Sequence, residues 1–345
     1  MGRRARVQIL IVGALIGLGC VALVLRQVDL KQSWNTLGRL NGPFLIIPIA
    51  VFFANLPLRA WRWYFIFPAS SRPGFGDCVV VLGIANMANF LLPGRAGDIA
   101  RCVLLREETG LSGSSRTLAT LALEKLLDGF ALVAMVLFAA WSLHPPHWVL
   151  QLLQAATVIF GAAMLAVILL HYRTQTVARY ARRMVRFLHL GLLEEKTSAL
   201  FASFADGLSA VSSAQRMFML FLLTAGIWFT EAVLIWGLAG ALTLGVSLKS
   251  AIVASAVLGL GLMIPAAPGG LGTYELFGTE AFQLTGITAS SALALTVVIH
   301  AWVYVANIVA GACLLTLKGV SMAKLRQDIE ASNSSNLQER IGRSA

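Results

Sequence analysis

Asn89-Phe-Leu-Leu-Pro93-Gly94-Arg95-Ala96-Gly97-Asp98 ends one apolar segment of this chain, and Pro265-Ala-Ala-Pro268-Gly269-Gly270-Leu271-Gly272-Thr273-Tyr274-Glu275 ends another. Both contain Pro-Gly-x-x-Gly with an acidic residue just beyond it. Proline removes a backbone donor and glycine makes helix propagation costly, so each apolar helix should stop there. Within a bilayer such a stop is tolerated only where the freed backbone is buried in protein or lines a wet cavity. Interrupted segments at corresponding places in two halves of a chain point to a transport site.

The surrounding composition fits a bilayer. Hydrophobic residues make up 58% of the 345 and charged residues 12%, against roughly 25% charged in a soluble domain. Mean hydropathy is +0.78, which implies an all-α, polytopic membrane protein. The net charge of +11 does not point to nucleic acid, because Lys and Arg flank apolar runs as topology signals do. The four cysteines lack metal-ligand spacing, and no HExxH, P-loop or GxGxxG occurs, so no metal, cofactor or nucleotide chemistry is expected. Gly110-Leu-Ser-Gly113 lies in a polar loop and is not read as a protease nucleophile.

Six full spans are expected: Val7–Leu25 as a retained signal anchor, Pro43–Phe67 with an amphipathic end, Ala119–Trp141, Trp148–Leu170, Met217–Leu238 and Ala289–Leu317. Arg3, Arg4 and Arg6 place the N-terminus in the cytoplasm. The basic stretch from His171 to Arg216 and the tail with Lys318, Lys324 and Arg326 belong there too. Residues 1–320 are read as one transmembrane domain and 321–345 as a disordered polar cytoplasmic tail. The charge pattern then requires Asp77–Arg116 to begin and end inside, and Ser250–Thr285 to begin and end outside. Two oppositely oriented re-entrant hairpins, an inverted repeat, satisfy this. Ser250–Ala267 is alternatively long enough to cross, which would export the tail.

Several polar residues sit at membrane depth. Arg95, Asp98 and Arg101 follow the first break and either bind a phosphate near a helix N-terminus or serve as a cap and snorkelling cations. Glu124 and Asp128 share one helix face, either as an ion-pair cluster with Arg95 or Arg101 or as a purely structural pair. Glu231 either finds an Arg partner or is protonated. Thr296, His300, Tyr304, Asn307 and Gly311 form one stripe, which interhelical packing accounts for.

The motifs Asn89-x-x-x-Pro93-Gly94-Arg95-x-Gly97-Asp98-x-x-Arg101, Glu124-Lys125-x-x-Asp128 and Pro268-Gly-Gly-x-Gly272-x-x-Glu275 resemble the lysylphosphatidylglycerol synthase transmembrane-region family, also called flippase-like. The resemblance runs from about Val7 to Lys318 and implies movement of a lipid between leaflets. It carries Arg95, Asp98, Arg101, Glu124, Asp128 and Glu275 as the functional set. Asn89, Glu231 and Tyr274 complete the candidate substrate-binding residues. Asp98 stands where the family more often has Glu. The chain extends only a little past Leu317, so no aminoacyl-transferase domain is expected, and the protein is not expected to be an enzyme.

The expected function is a flippase for an anionic phospho- or polyisoprenoid-linked lipid, in a bacterial inner membrane with both termini cytoplasmic. Two alternatives stay open: a glycosyltransferase-like enzyme acting on a lipid-linked substrate, or a scaffold for a lipid-biosynthesis partner. A homo-oligomer is compatible with either.

Overall fold

The computed structural model describes residues 15, 18–38, 41–92, 96–109, 114–143, 147–173, 175–177, 179–180, 183, 207–208, 212–262 and 268–317. Arg95, the Pro93-Gly94 turn, the Gly110–Gly113 loop, most of the basic stretch and the tail lie outside them. Among the described residues there are only helices and their connections. These are α1 (Leu30–Leu37), α2 (Ile46–Ile66), α3 (Phe75–Leu91), α4 (Ala96–Thr109), α5 (Ser114–Leu143), α6 (His147–Tyr172), α7 (Ala214–Ala241), α8 (Leu248–Gly261), α9 (Thr273–Gln283) and α10 (Ala289–Leu317).

Four described helices are long and apolar enough to cross a bilayer: Gly42–Ile66, Val149–Tyr172, Ala214–Ala241 and Ala289–Leu317. They coincide with four of the six expected spans. The fifth, α5, is 30 residues long and starts five residues before the expected boundary. Most of Val7–Leu25 is outside the described residues. Phe53, Val158 and Phe218 are exposed by 71%, 70% and 66%, on faces that only lipid would cover favourably.

The two breaks produce pairs of short helices. The first pair has 17 and 14 residues, the second 14 and 11. At 1.5 Å per residue none reaches the roughly 30 Å of a hydrocarbon core. The helices of each pair pack against each other as a hairpin. In the first, Asn89 Oδ1 accepts from the Gly97 N–H at 2.9 Å across the break, and a Cβ on Gly97 would stand 1.9 Å from the Ala85 carbonyl oxygen. Only glycine admits that approach. In the second, Gly269, Gly270 and Gly272 all take positive φ, a conformation that L side chains resist.

The helix contacts repeat. α2 packs on α3, α3 on α4 and α4 on α5; likewise α7 packs on α8, α8 on α9 and α9 on α10. Between halves, α3 lies against α10 as α8 lies against α5, and α2 lies against its counterpart α7. That central pair is antiparallel: Phe44 meets Gly240, Ile47 meets Gly237, Asn55 meets Thr230 and Arg62 meets Thr224. Asn55 and Thr230 are 175 residues apart and bonded at 2.8 Å, the same offset as Pro93 and Pro268. A residue touching its own counterpart marks a local two-fold axis. The second half therefore runs inverted relative to the first. Helix α6 lies outside the repeat and packs on α5, and α1 packs on α10.

Candidate functional site

The symmetry fails at one place. Helix α5 packs on α7, but α10 does not close on α2 in the same way. Each side of that inequality holds a different polar site.

On the closed side the charges are buried and paired. Arg62 of α2 is 0% exposed. Its Nη1 donates to Asp128 Oδ1 at 2.6 Å and to Thr224 Oγ1 at 3.2 Å, and its Nη2 lies 3.2 Å from Glu124 Oε1. Arg101 of α4 donates from Nη1 to Glu124 Oε2 at 2.9 Å and lies over the Trp63 ring. The Trp228 indole N–H donates to Asp128 Oδ1. Two guanidiniums thus meet two carboxylates within the bundle. Glu124 and Asp128 do form an ion-pair cluster with Arg101, but Arg62 is its centre. Arg101 is 4% exposed and its charge is taken up by Glu124, so it presents no free cation to a ligand.

On the open side a cavity of about 290 Å³ lies between α2, α3, α7 and α10. Its walls include Phe52, Leu56, Phe90, Leu234 and Trp302, and its polar groups are Asn55, Asn86, Arg59, Glu231 and Asn307. Arg59 Nη2 meets Glu231 Oε1 at 2.8 Å, with side chains 25% and 26% exposed. Asn55 ties the pair together, accepting from Arg59 Nε at 2.6 Å and donating to Thr230 and Glu231. Pro57 lies between Asn55 and Arg59 in α2 and supplies no N–H to the Phe53 carbonyl. Glu231 has therefore found its Arg partner.

Arg59 and Arg62 lie in the amphipathic end of the Pro43–Phe67 span and are not among the nine candidates. Their signal was the spacing Asn55-x-x-x-Arg59-x-x-Arg62, which puts three polar groups on one helix face.

The second break forms a third cluster. Glu275 Oε2 accepts from the Gly272 N–H at 2.7 Å, so Glu275 restrains the start of α9, and the Thr273 hydroxyl donates to Gly270 O. Glu275 Oε1 faces His300 Nδ1, while His300 Nε2 faces the Gly269 carbonyl at 3.0 Å. The Tyr274 ring stacks on His300 with centroids 4.0 Å apart, and Tyr304 meets His300 edge-on. The stripe on α10 does pack against both hairpins, as Gly311 lies on Met87 and Thr296 on Gly278. His300 additionally holds the break itself.

Asp98 lies half-buried in the first turn of α4. Of the nine candidates, Arg101, Glu124 and Asp128 come together; Glu231 lines the cavity; Tyr274 and Glu275 form the second break; Asn89 braces the first; Asp98 stands apart in the first turn of α4, and Arg95 lies outside the described residues. No group of three His, Cys, Asp or Glu among the described residues could hold a metal ion.

Comparison with known proteins places these features in a family. The family described as lysylphosphatidylglycerol synthase TM region matches residues 10–311. Glycosyltransferase AglD of Haloferax volcanii is 25% identical across 91% of this chain and 55% of its own length. The chain thus spans about half the length of the curated relative it matches. No solved structure matches.

Proposed function

The chain belongs to the lysylphosphatidylglycerol synthase transmembrane-region family, and on that premise we propose that it binds a lipid by an anionic phosphate headgroup at Arg59 and moves it between leaflets. The observation that carries this is the cavity at the break in symmetry, apolar in its walls with one Arg–Glu–Asn group at its polar face. Polar groups held at membrane depth are costly unless they serve a pathway or a partner. A phosphate accepts two parallel N–H bonds from a guanidinium, so it competes with Glu231 for Arg59. The buried cluster around Arg62 keeps α2, α5 and α7 as a fixed wall beside it. Inverted repeats of this kind are an architecture of alternating-access transporters, which hold their substrate at the repeat interface.

The test is reconstitution in liposomes containing fluorescent phosphatidylglycerol, with leaflet exchange followed by quenching from outside. Protein-dependent exchange that falls at least tenfold in Arg59→Ala supports the proposal. No exchange of any phosphate-bearing lipid, or exchange unaffected by Arg59→Ala, overturns it.

A second reading is favoured by the likeness to a protein named as a glycosyltransferase: the same cavity would hold a lipid-linked substrate during transfer. Product formed on a lipid donor without leaflet exchange would select that reading.

A further inference from the structure

His300 has a partner at each ring nitrogen, and neither partner can donate in its ordinary state. Nε2 faces the Gly269 carbonyl, which only accepts, so Nε2 carries a hydrogen. Nδ1 faces Glu275 Oε1. A neutral imidazole has one N–H, already used at Nε2, so its Nδ1 lone pair would point at an ionised carboxylate. That arrangement is repulsive. A second proton between Nδ1 and Oε1 makes it a bond, whether it rests on the ring or on the carboxyl.

We propose that His300 and Glu275 form a proton-binding site whose single proton latches the second hairpin break, and that this proton is the ion coupled to the lipid movement proposed above. The coupling rests on that transport reading; the proton site does not. The latch is short. His300 holds the break at Gly269, and Glu275 holds it at Gly272 through the backbone N–H. The same hairpin and the same helix line the cavity, through Leu262 on one and Trp302, Val303 and Asn307 on the other. Packing of the break segment Pro268–Gly270 against α3 brings it to the first hairpin, and Tyr304 touches both Gly269 and Phe90.

Loss of the proton to water leaves carboxylate facing lone pair, and one of the two His300 contacts must open. The Glu275 side chain is 16% exposed, so the carboxyl group is not sealed inside the fold. Among the described residues, the other titratable groups near the site include Tyr274 on α9, Tyr304 on α10, Cys20 in the segment before α1 and, acting on Tyr274, Glu231 on α7. The group that meets the Glu275 carboxylate side chain to side chain is His300. A proton on the His300 ring would place a positive charge directly against an ionised Glu275.

Glu275→Gln discriminates a proton site from a structural contact. Its amide NH₂ donates to a neutral Nδ1 and its oxygen still accepts from Gly272 N–H, so every bond is satisfied with no exchangeable proton. Histidine-labelled protein in lipid nanodiscs would be followed by nitrogen NMR from about pH 5 to about pH 9, spanning the ordinary histidine range, with His300→Gln assigning the signal. The expected result is a proton bonded to or shared by Nδ1 at low pH and lost as pH rises. In Glu275→Gln, Nδ1 should stay unprotonated throughout. An Nδ1 without a bonded or shared proton at every pH in the parent overturns the site. In liposomes, the parent's lipid exchange should change at least fivefold across that range and Glu275→Gln should be flat. Equal pH profiles in both overturn the coupling while leaving the lipid proposal standing; absence of exchange in both overturns the lipid proposal, and the coupling with it, while NMR still decides the proton.

Discussion

At the residue scale, two arginines three positions apart on α2 have opposite roles. Arg62 is fully enclosed by Asp128, Glu124 and Thr224, so its removal strands the buried Asp128 carboxylate and leaves Glu124 with Arg101 alone. Breaking a buried ion pair from one side costs about 3–5 kcal/mol. Arg62→Ala should therefore reduce folded protein in detergent sharply, read as a fall in the midpoint of thermal unfolding. Arg59 and Glu231 are each about a quarter exposed, which places the loss from Arg59→Ala at about 1 kcal/mol or less. If both variants unfold alike, the assignment of one arginine to structure and the other to the cavity fails. The pair Glu124 and Asp128 was legible from their spacing and depth. Arg62 as their partner was not, because nothing local connects residues 66 positions apart.

At the element scale, each hairpin turns on a glycine whose need is measurable. A Cβ on Gly97 would meet backbone oxygen of Ala85 and the Asn89 side chain, and backbone cannot step aside. Gly97→Ala should cost about 1–3 kcal/mol, as overpacking does, and show as a lower unfolding midpoint. Gly269 has two reasons to be glycine: φ of 66° and the Tyr304 ring, whose oxygen a Cβ would overlap. Gly269→Ala should be destabilised, and Tyr304→Ala in the same chain should restore part of that loss, leaving about 1 kcal/mol for the left-handed backbone. Failure of any rescue would mean that the contact is not the cause. Helix-breaking at both sites followed from Pro and Gly alone. The capping did not: Glu275 outcompetes Thr273 at the second break because its longer side chain reaches both the Gly272 N–H and His300.

At the scale of the whole molecule, antiparallel packing of α2 on α7 requires the hairpins that follow them to begin on opposite faces of the membrane. Gly76 and Gly245 stand near the start of each hairpin, exposed, with nothing within 4 Å of an added Cβ. In a background with the four native cysteines replaced, Gly76→Cys and Gly245→Cys should react with an impermeant maleimide from opposite sides of sealed vesicles. Labelling of both from one side would rule out the inversion. The sequence by itself determined the membrane class, the positions of the breaks and the half-chain offset between them, because these follow from local hydropathy, backbone donors and charge near the helix ends. It took the fold to show that Arg101, beyond the first break, enters the ion-pair cluster centred on Arg62, that His300 meets Glu275 and Gly269 at the second, and that a cavity opens between α2 and α10. Those outcomes depend on which helices meet, and a partner for a buried charge is chosen by packing across the bundle rather than by its neighbours in the chain.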